Sequence, residues 1–142
     1  MGATEVDGHS FKDIGLPEFT VISRKESETG DILYTVEPKE RIADCPACGG
    51  KLHIHKDAKR KVKDLDEFGH RVGIVVKGKS YRCKDCGETV REEYASICGQ
   101  MTRRMVESIQ RDVFGDMTFT QIARRYNVSV STVQGLFEEQ GE

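Results

Sequence analysis

Four cysteines in two pairs, Cys45-Pro-Ala-Cys48 and Cys83-Lys-Asp-Cys86, are the residues whose type and spacing point most directly to chemistry. Two residues between cysteines let one tight turn aim both sulfurs at a single point. A glycine follows each pair, Gly49 and Gly87, and accepts the left-handed backbone that such a knuckle needs. Two knuckles on β hairpins would bring four thiolates around one Zn²⁺ in a tetrahedron. That closed set leaves no position for water, so the ion would be structural. Binding free energy of order 10–16 kcal/mol would then couple to folding. Iron suits the same thiolates, whereas a redox role fits two glycine-flanked pairs poorly. Cys98 is left over as a partly buried free thiol. His53 and His55, between Lys51 and Lys56, read as strand-surface histidines. No histidine precedes x-Glu, so the zinc deaminase signature is missing.

A second set of residues has the pattern for reading DNA. Residues 118–139, TFTQIARRYNVSVSTVQGLFEE, lay out a helix, a short turn and a helix opening at a serine. In a helix-turn-helix the second helix enters the major groove by its N-terminal residues. Here Ser129 would cap it, and Val130, Ser131 and Gln134 would face outward. Gln134 could bond an adenine edge and Val130 could touch a thymine methyl. Thr132 and the amides at the helix start could hold phosphate. The same trihelical pattern also fits a protein-docking unit, and the acidic ending at Glu138, Glu139 and Glu142 favours that alternative.

Positive charge is concentrated in the middle of the chain. Net charge is −5 over residues 1–50, +6 over 51–111 and −3 over 112–142. Lys59, Arg60, Lys61 and Lys63 cluster, and Lys77, Lys79, Arg82 and Lys84 recur at near-alternate positions, expected to share one strand face with Tyr81 between them. Such a face would contact the phosphate backbone, adding affinity without base readout. A solvated ribbon surface is the plainer alternative.

The elements that must position these residues follow from periodicity. Phe19, Val21 and Ser23, then Ile32, Tyr34 and Val36, alternate around the turn ESETGD and predict a β hairpin. Leu52 and Ile54 predict a short strand; Val72, Ile74 and Val76 predict a longer one, with a turn at Asp66–Gly69. Met105, Val106, Ile109 and Val113 follow helical spacing, with Gly115 as its C-cap. Thr118 and Gln121 form a capping box for a helix that buries Ile122, Ala123 and Tyr126. Asn127 and Val128 break it, and the third helix turns Val133, Leu136 and Phe137 inward. The expected fold is α+β: a flexible lead over 1–16, a β hairpin and small β zinc ribbon over 17–98, and a trihelical helix-turn-helix over 99–142.

The 142 residues exclude a large catalytic barrel. Tryptophan is absent and aromatics are 7%, so the core is thin and calls for a metal staple. No apolar run approaches the ~20 residues that span a bilayer, and the acidic N-terminus is no signal peptide. A cytoplasmic, nucleoid-associated protein is expected.

The order of CPACG, a basic stretch, DLDEFGHRVGIVV, SYRCKDCGETVREEY, TRRMVESI and TFTQIARRYNVSVSTV resembles the N-terminal part of bacterial insertion-sequence transposases of the ISL-three group. The resemblance spans roughly residues 15–139. It implies that Cys45, Cys48, Cys83 and Cys86 hold one structural zinc and that residues 129–135 recognise double-stranded transposon-end DNA. The family's catalytic carboxylates lie in a ribonuclease-H-like domain beyond the helix-turn-helix, where this sequence stops. The resemblance therefore implies DNA binding without catalysis by this chain, with self-association or a transposase subunit as a further partner and no small-molecule substrate. A transcription regulator or protein-interaction adaptor docking through the ribbon is the alternative.

Overall fold

The structure, a computed structural model, describes residues 14–140. Of the lead expected over residues 1–16, residues 1–13 lie outside the described residues. Leu16 is buried in the core and Ile14 packs against it.

Among the described residues, seven strands and three helices form a mixed α+β fold. In chain order they are β1 (Phe19–Glu26), β2 (Ile32–Pro38), β3 (Leu52–Glu67), β4 (His70–Cys83), β5 (Thr89–Arg91), β6 (Ile97–Cys98), β7 (Met101–Thr102), α1 (Arg103–Val113), α2 (Phe119–Tyr126) and α3 (Val130–Gln140). The sheet order is β1-β2-β4-β3-β7-β6, with β5 paired to β4. β1 and β2 pair antiparallel, and β2 then lies parallel to β4.

The centre of the fold is the antiparallel β3–β4 ribbon. β3 runs for 16 residues, where the sequence predicts only a short strand at Leu52 and Ile54. The apolar signal fades after Ile54 because Ala58 and Val62 alternate with lysines rather than with neutral residues. β4 is 14 residues long and supplies the hydrogen-bonding partner that this basic segment needs. The reversal occurs at Phe68 (φ 51°) and Gly69 (φ 81°). Two left-handed residues in succession match the right-handed twist of the flanking strands. His55 adds a bulge near the other end of β3.

Strand alternation sorts the side chains onto two faces. Val62 on β3, Val72, Ile74 and Val76 on β4, and Ile32, Tyr34 and Val36 on β2 share the inner face. They are buried with Leu16, Phe19 and Ile97. A second core lies among the helices, where Met101, Met105, Val106, Ile109, Ile122, Ala123, Tyr126, Val133 and Leu136 are buried together. Thr118 and Gln121 form the expected capping box of α2, and Asn127 ends that helix in the left-handed region. Two details differ from expectation. α1 is capped at Phe114, one residue before Gly115. Phe137 is 40% exposed, because its ring lies on Phe114 and Phe119 at the edge of the helical core.

Polar side chains join the two cores. Asp64, buried at the base of β3, accepts from Thr102 Oγ1 at 2.6 Å and from Arg104 Nε at 2.9 Å, and is ion-paired with Arg104. Thr102 is also the N-cap of α1, so one carboxylate ties the ribbon to the start of the helices. Arg104 in turn donates to the Ile14 carbonyl at 2.6 Å. Lys63 Nζ donates to Asn127 O at 2.6 Å, and Arg71 to Arg125 O at 2.9 Å. These cations neutralise the carbonyl end of α2, where the helix dipole favours positive charge. The boundary expected near residue 98 thus falls inside the β6–β7 pair.

A second carboxylate holds the other edge. Glu92 accepts from Lys79 N (2.8 Å), Tyr81 Oη (2.8 Å), Tyr94 Oη (3.0 Å) and Arg41 Nη1 (3.0 Å). Burial alone would raise its pKa, but these donors outweigh burial and hold it below the ordinary carboxylate value. A carboxylate with a lowered folded pKa stabilises fully above its unfolded pKa, and the contribution is lost as pH falls through the folded one. Glu92→Gln is therefore expected to cost about 2–3 kcal/mol at neutral pH and to flatten the loss of stability on acidification, read by urea melts at successive pH values. Asp64→Ala leaves Arg104 and Thr102 without their acceptor. It is expected to lower stability by about 2–4 kcal/mol and to raise amide exchange at the start of α1.

Candidate metal centre and basic surface

The first knuckle, Cys45–Gly50, precedes β3 and is closed by the Asp44–Lys51 bridge. The second lies between β4 and β5. Their backbones repeat one pattern. Gly49 N donates to Cys45 O at 2.8 Å and Cys45 N to Gly50 O at 2.7 Å; Gly87 N donates to Cys83 O and Cys83 N to Glu88 O, both at 2.9 Å. Gly49 (φ 78°) and Gly87 (φ 76°) both adopt the left-handed conformation, as the spacing requires.

The ribbon register brings the knuckles together, because Leu52 faces Cys83 across β3–β4. All four sulfurs lie within 4.8 Å of one another. Cys45 Sγ is 3.7 Å from Cys86 Sγ, and Cys48 Sγ is 3.4 Å from Cys83 Sγ. A disulfide would need about 2.05 Å. Tetrahedral zinc with Zn–S bonds of about 2.3 Å spaces its sulfurs about 3.8 Å apart, so the cluster fits one structural Zn²⁺. The thiols do not ionise alike. The Gly50 amide favours the Cys48 thiolate, but hydrogen bonding with Cys83 and Cys86 pushes that thiol up to about 12. The Cys86 amide, with help from Cys48, brings Cys83 down to about 7. Four thiolates at this separation need a cation to hold them.

His53 and His55 are exposed on β3 and outside the cluster. Cys98 is half-buried against the helical core.

On α3, Ser129 Oγ accepts from Thr132 N at 3.1 Å and bonds the Thr132 hydroxyl at 2.9 Å. Ser129 Oγ therefore caps the helix, and the Thr132 hydroxyl is held against it. Val130, Ser131 and Gln134 are exposed, while Val133 and Leu136 are buried.

The basic residues divide. Lys59 and Lys61 on β3 share the outer face with Lys77 and Lys79 on β4. Lys59 sits directly opposite Lys77, and Lys79 pairs with Asp57. Arg60 is an even-numbered neighbour and lies on the opposite face. Arg60 donates there to the Gly99 carbonyl. Strict alternation does not extend from Lys79 to Arg82: Ser80 and Tyr81 are both buried beside the bulge at His55, and Arg82 is exposed. Tyr81 is buried rather than interleaved on the surface. The bracing roles of Asp64, Arg71 and Glu92 had no sequence signal, since their partners lie far along the chain.

Cys83→Ser is expected to lose the metal and unfold the zinc end of the ribbon, read by zinc content and amide dispersion; a zinc-loaded, folded variant would exclude the four-ligand site. Protons compete with metal for thiolates, so zinc affinity should fall steadily as pH is lowered through 7 in a chelator competition.

No curated protein and no solved structure matches the chain. Residues 43–86 match the family model described as the zinc-finger of transposase IS204/IS1001/IS1096/IS1165. All four cysteines fall within that span, and the metal centre of this chain is similar to that zinc finger.

Proposed function

We propose that the chain is a zinc-stabilised, transposase-like DNA-binding module that recognises transposon-end DNA and performs no catalysis itself. The observation that carries this reading is the surface of α3 beside a transposase-type zinc ribbon. α2 and α3 are then a helix-turn-helix, with α3 as the recognition helix. Its first turns leave Val130, Ser131 and Gln134 exposed, the placement from which side chains reach base edges in the major groove. Glu138 is also exposed, but it lies one turn beyond Gln134, toward the end that leaves the groove. Lysines of the ribbon supply phosphate affinity, and the zinc holds the ribbon in shape.

A second reading rests on a different surface. Phe137 packs against Phe114 and Phe119, with ring centroids 6.4 and 5.5 Å away, and Phe114 is 66% exposed. Exposed aromatic clusters favour protein partners, so an adaptor would dock there.

Gln134→Ala is expected to weaken binding to a duplex selected from a random library about tenfold, with little change on scrambled duplex, since a bidentate base contact is worth about 1–3 kcal/mol. Fluorescence anisotropy with both duplexes measures this. An equal loss on both would remove Gln134 from base readout.

A further inference from the structure

The outer face of the sheet carries more positive charge than its packing needs. Lys25 on β1, Lys59, Lys61 and Lys63 on β3, and Lys77 and Lys79 on β4 all share it, by the register of the strands. Asp57 and Glu37 lie on it, and Asp66, paired with Arg71, borders it beside Lys61 and Lys63. Asp57 is committed to Lys79. Lys63 is committed to the carbonyl of Asn127. Lys59 and Lys77 stand directly opposite each other, an arrangement that destabilises a sheet. Local rules broken without structural gain mark functional surfaces.

This face continues into the helices. Lys61, Lys63 and Gly73 line a groove of about 450 Å³ whose other wall includes Ser129 and Thr132, at the start of α3. Gly73 keeps its floor low: a Cβ there would meet Leu33 Cδ1 at 3.2 Å and Lys61 Cε at 3.8 Å. The Lys63 and Arg71 braces fix the α2–α3 turn against the same strands.

We propose that this lysine face and the first turn of α3 form one continuous surface for a single DNA duplex. The duplex backbone lies along Lys59, Lys61 and Lys77, and passes over Gly73 into the groove as α3 meets the bases. Neighbouring same-face lysines on a strand are about 7 Å apart, and Lys59 to Lys63 spans about 13 Å, comparable to the ~12 Å width of the major groove. Arg60, on the other face, takes no part. The proposal rests on the DNA-binding reading above and adds which face and which cations serve it.

The test is the salt dependence of binding by the full, zinc-loaded chain to a mixed-sequence duplex. Each phosphate contact contributes about 0.9 to the slope of log affinity against log salt. Lys59→Gln/Lys61→Gln/Lys77→Gln should reduce the slope by about 2.7, with zinc content and far-UV spectrum unchanged. Arg60→Gln should leave the slope as it is. A wild-type protein that binds, with a slope the lysine variant does not alter or that Arg60→Gln lowers equally, overturns the lysine face and leaves DNA binding standing. No duplex binding by wild type, together with lysine-dependent binding of poly-glutamate, overturns both in favour of an acidic protein partner.

Discussion

The register between β3 and β4 is the constraint on which the rest depends. It sets Leu52 against Cys83 at one end, so that two knuckles 34 residues apart meet as a four-sulfur cluster. It sets Asp64 against Val72 at the other end, so that Lys63 and Arg71 reach the same helix terminus. Between them it collects lysines on one face and valines on the other. Strand side chains alternate with period two, so a slip of one residue would exchange the two faces. It would bury lysine, expose the core and separate the cysteines together.

The two ends lock this register by different means. At the zinc end, metal binding brings order to a segment with few buried apolar side chains, and four adjacent thiols cannot all carry their charge together without the cation. At the helical end, buried Asp64 accepts from Thr102 and Arg104, while lysine and arginine satisfy carbonyls that a helix leaves open. Glu92 fixes β4 at Lys79, between the stretches paired with β2 and β5, by gathering donors from four residues. Removing any of these carboxylates leaves buried donors or charges uncompensated, which is why they matter more than surface ion pairs such as Arg24–Glu26.

Much of the metal centre was legible in the sequence, because ligand type, spacing and flanking glycine encode it locally. The capping box at Thr118 and the left-handed break at Asn127 were legible for the same reason. The length of β3 was not: its middle is written in lysines, and periodicity methods look for apolar residues. Nor was the division of the basic cluster. Arg60 and Lys61 are adjacent in the chain and opposite in space, and only a continuous strand from Leu52 to Glu67 reveals it. Parallel pairing of β2 with β4, and the acceptor roles of Asp64 and Glu92, depend on contacts distant in sequence.

A zinc-locked ribbon that carries lysines toward the start of α3 accounts for charge concentrated mid-chain in a protein that is acidic overall. In the proposed DNA-binding reading, affinity would come from the sheet face and sequence readout from α3. The most direct test is an amide-resolved NMR titration of the zinc-loaded protein with duplex DNA at low salt. The account predicts shifts at residues 129–135 together with the outer-face positions of 59–63 and 73–79, fading jointly as salt is added. Absence of shifts in both regions, or shifts confined to the aromatic cluster around Phe114, would contradict it.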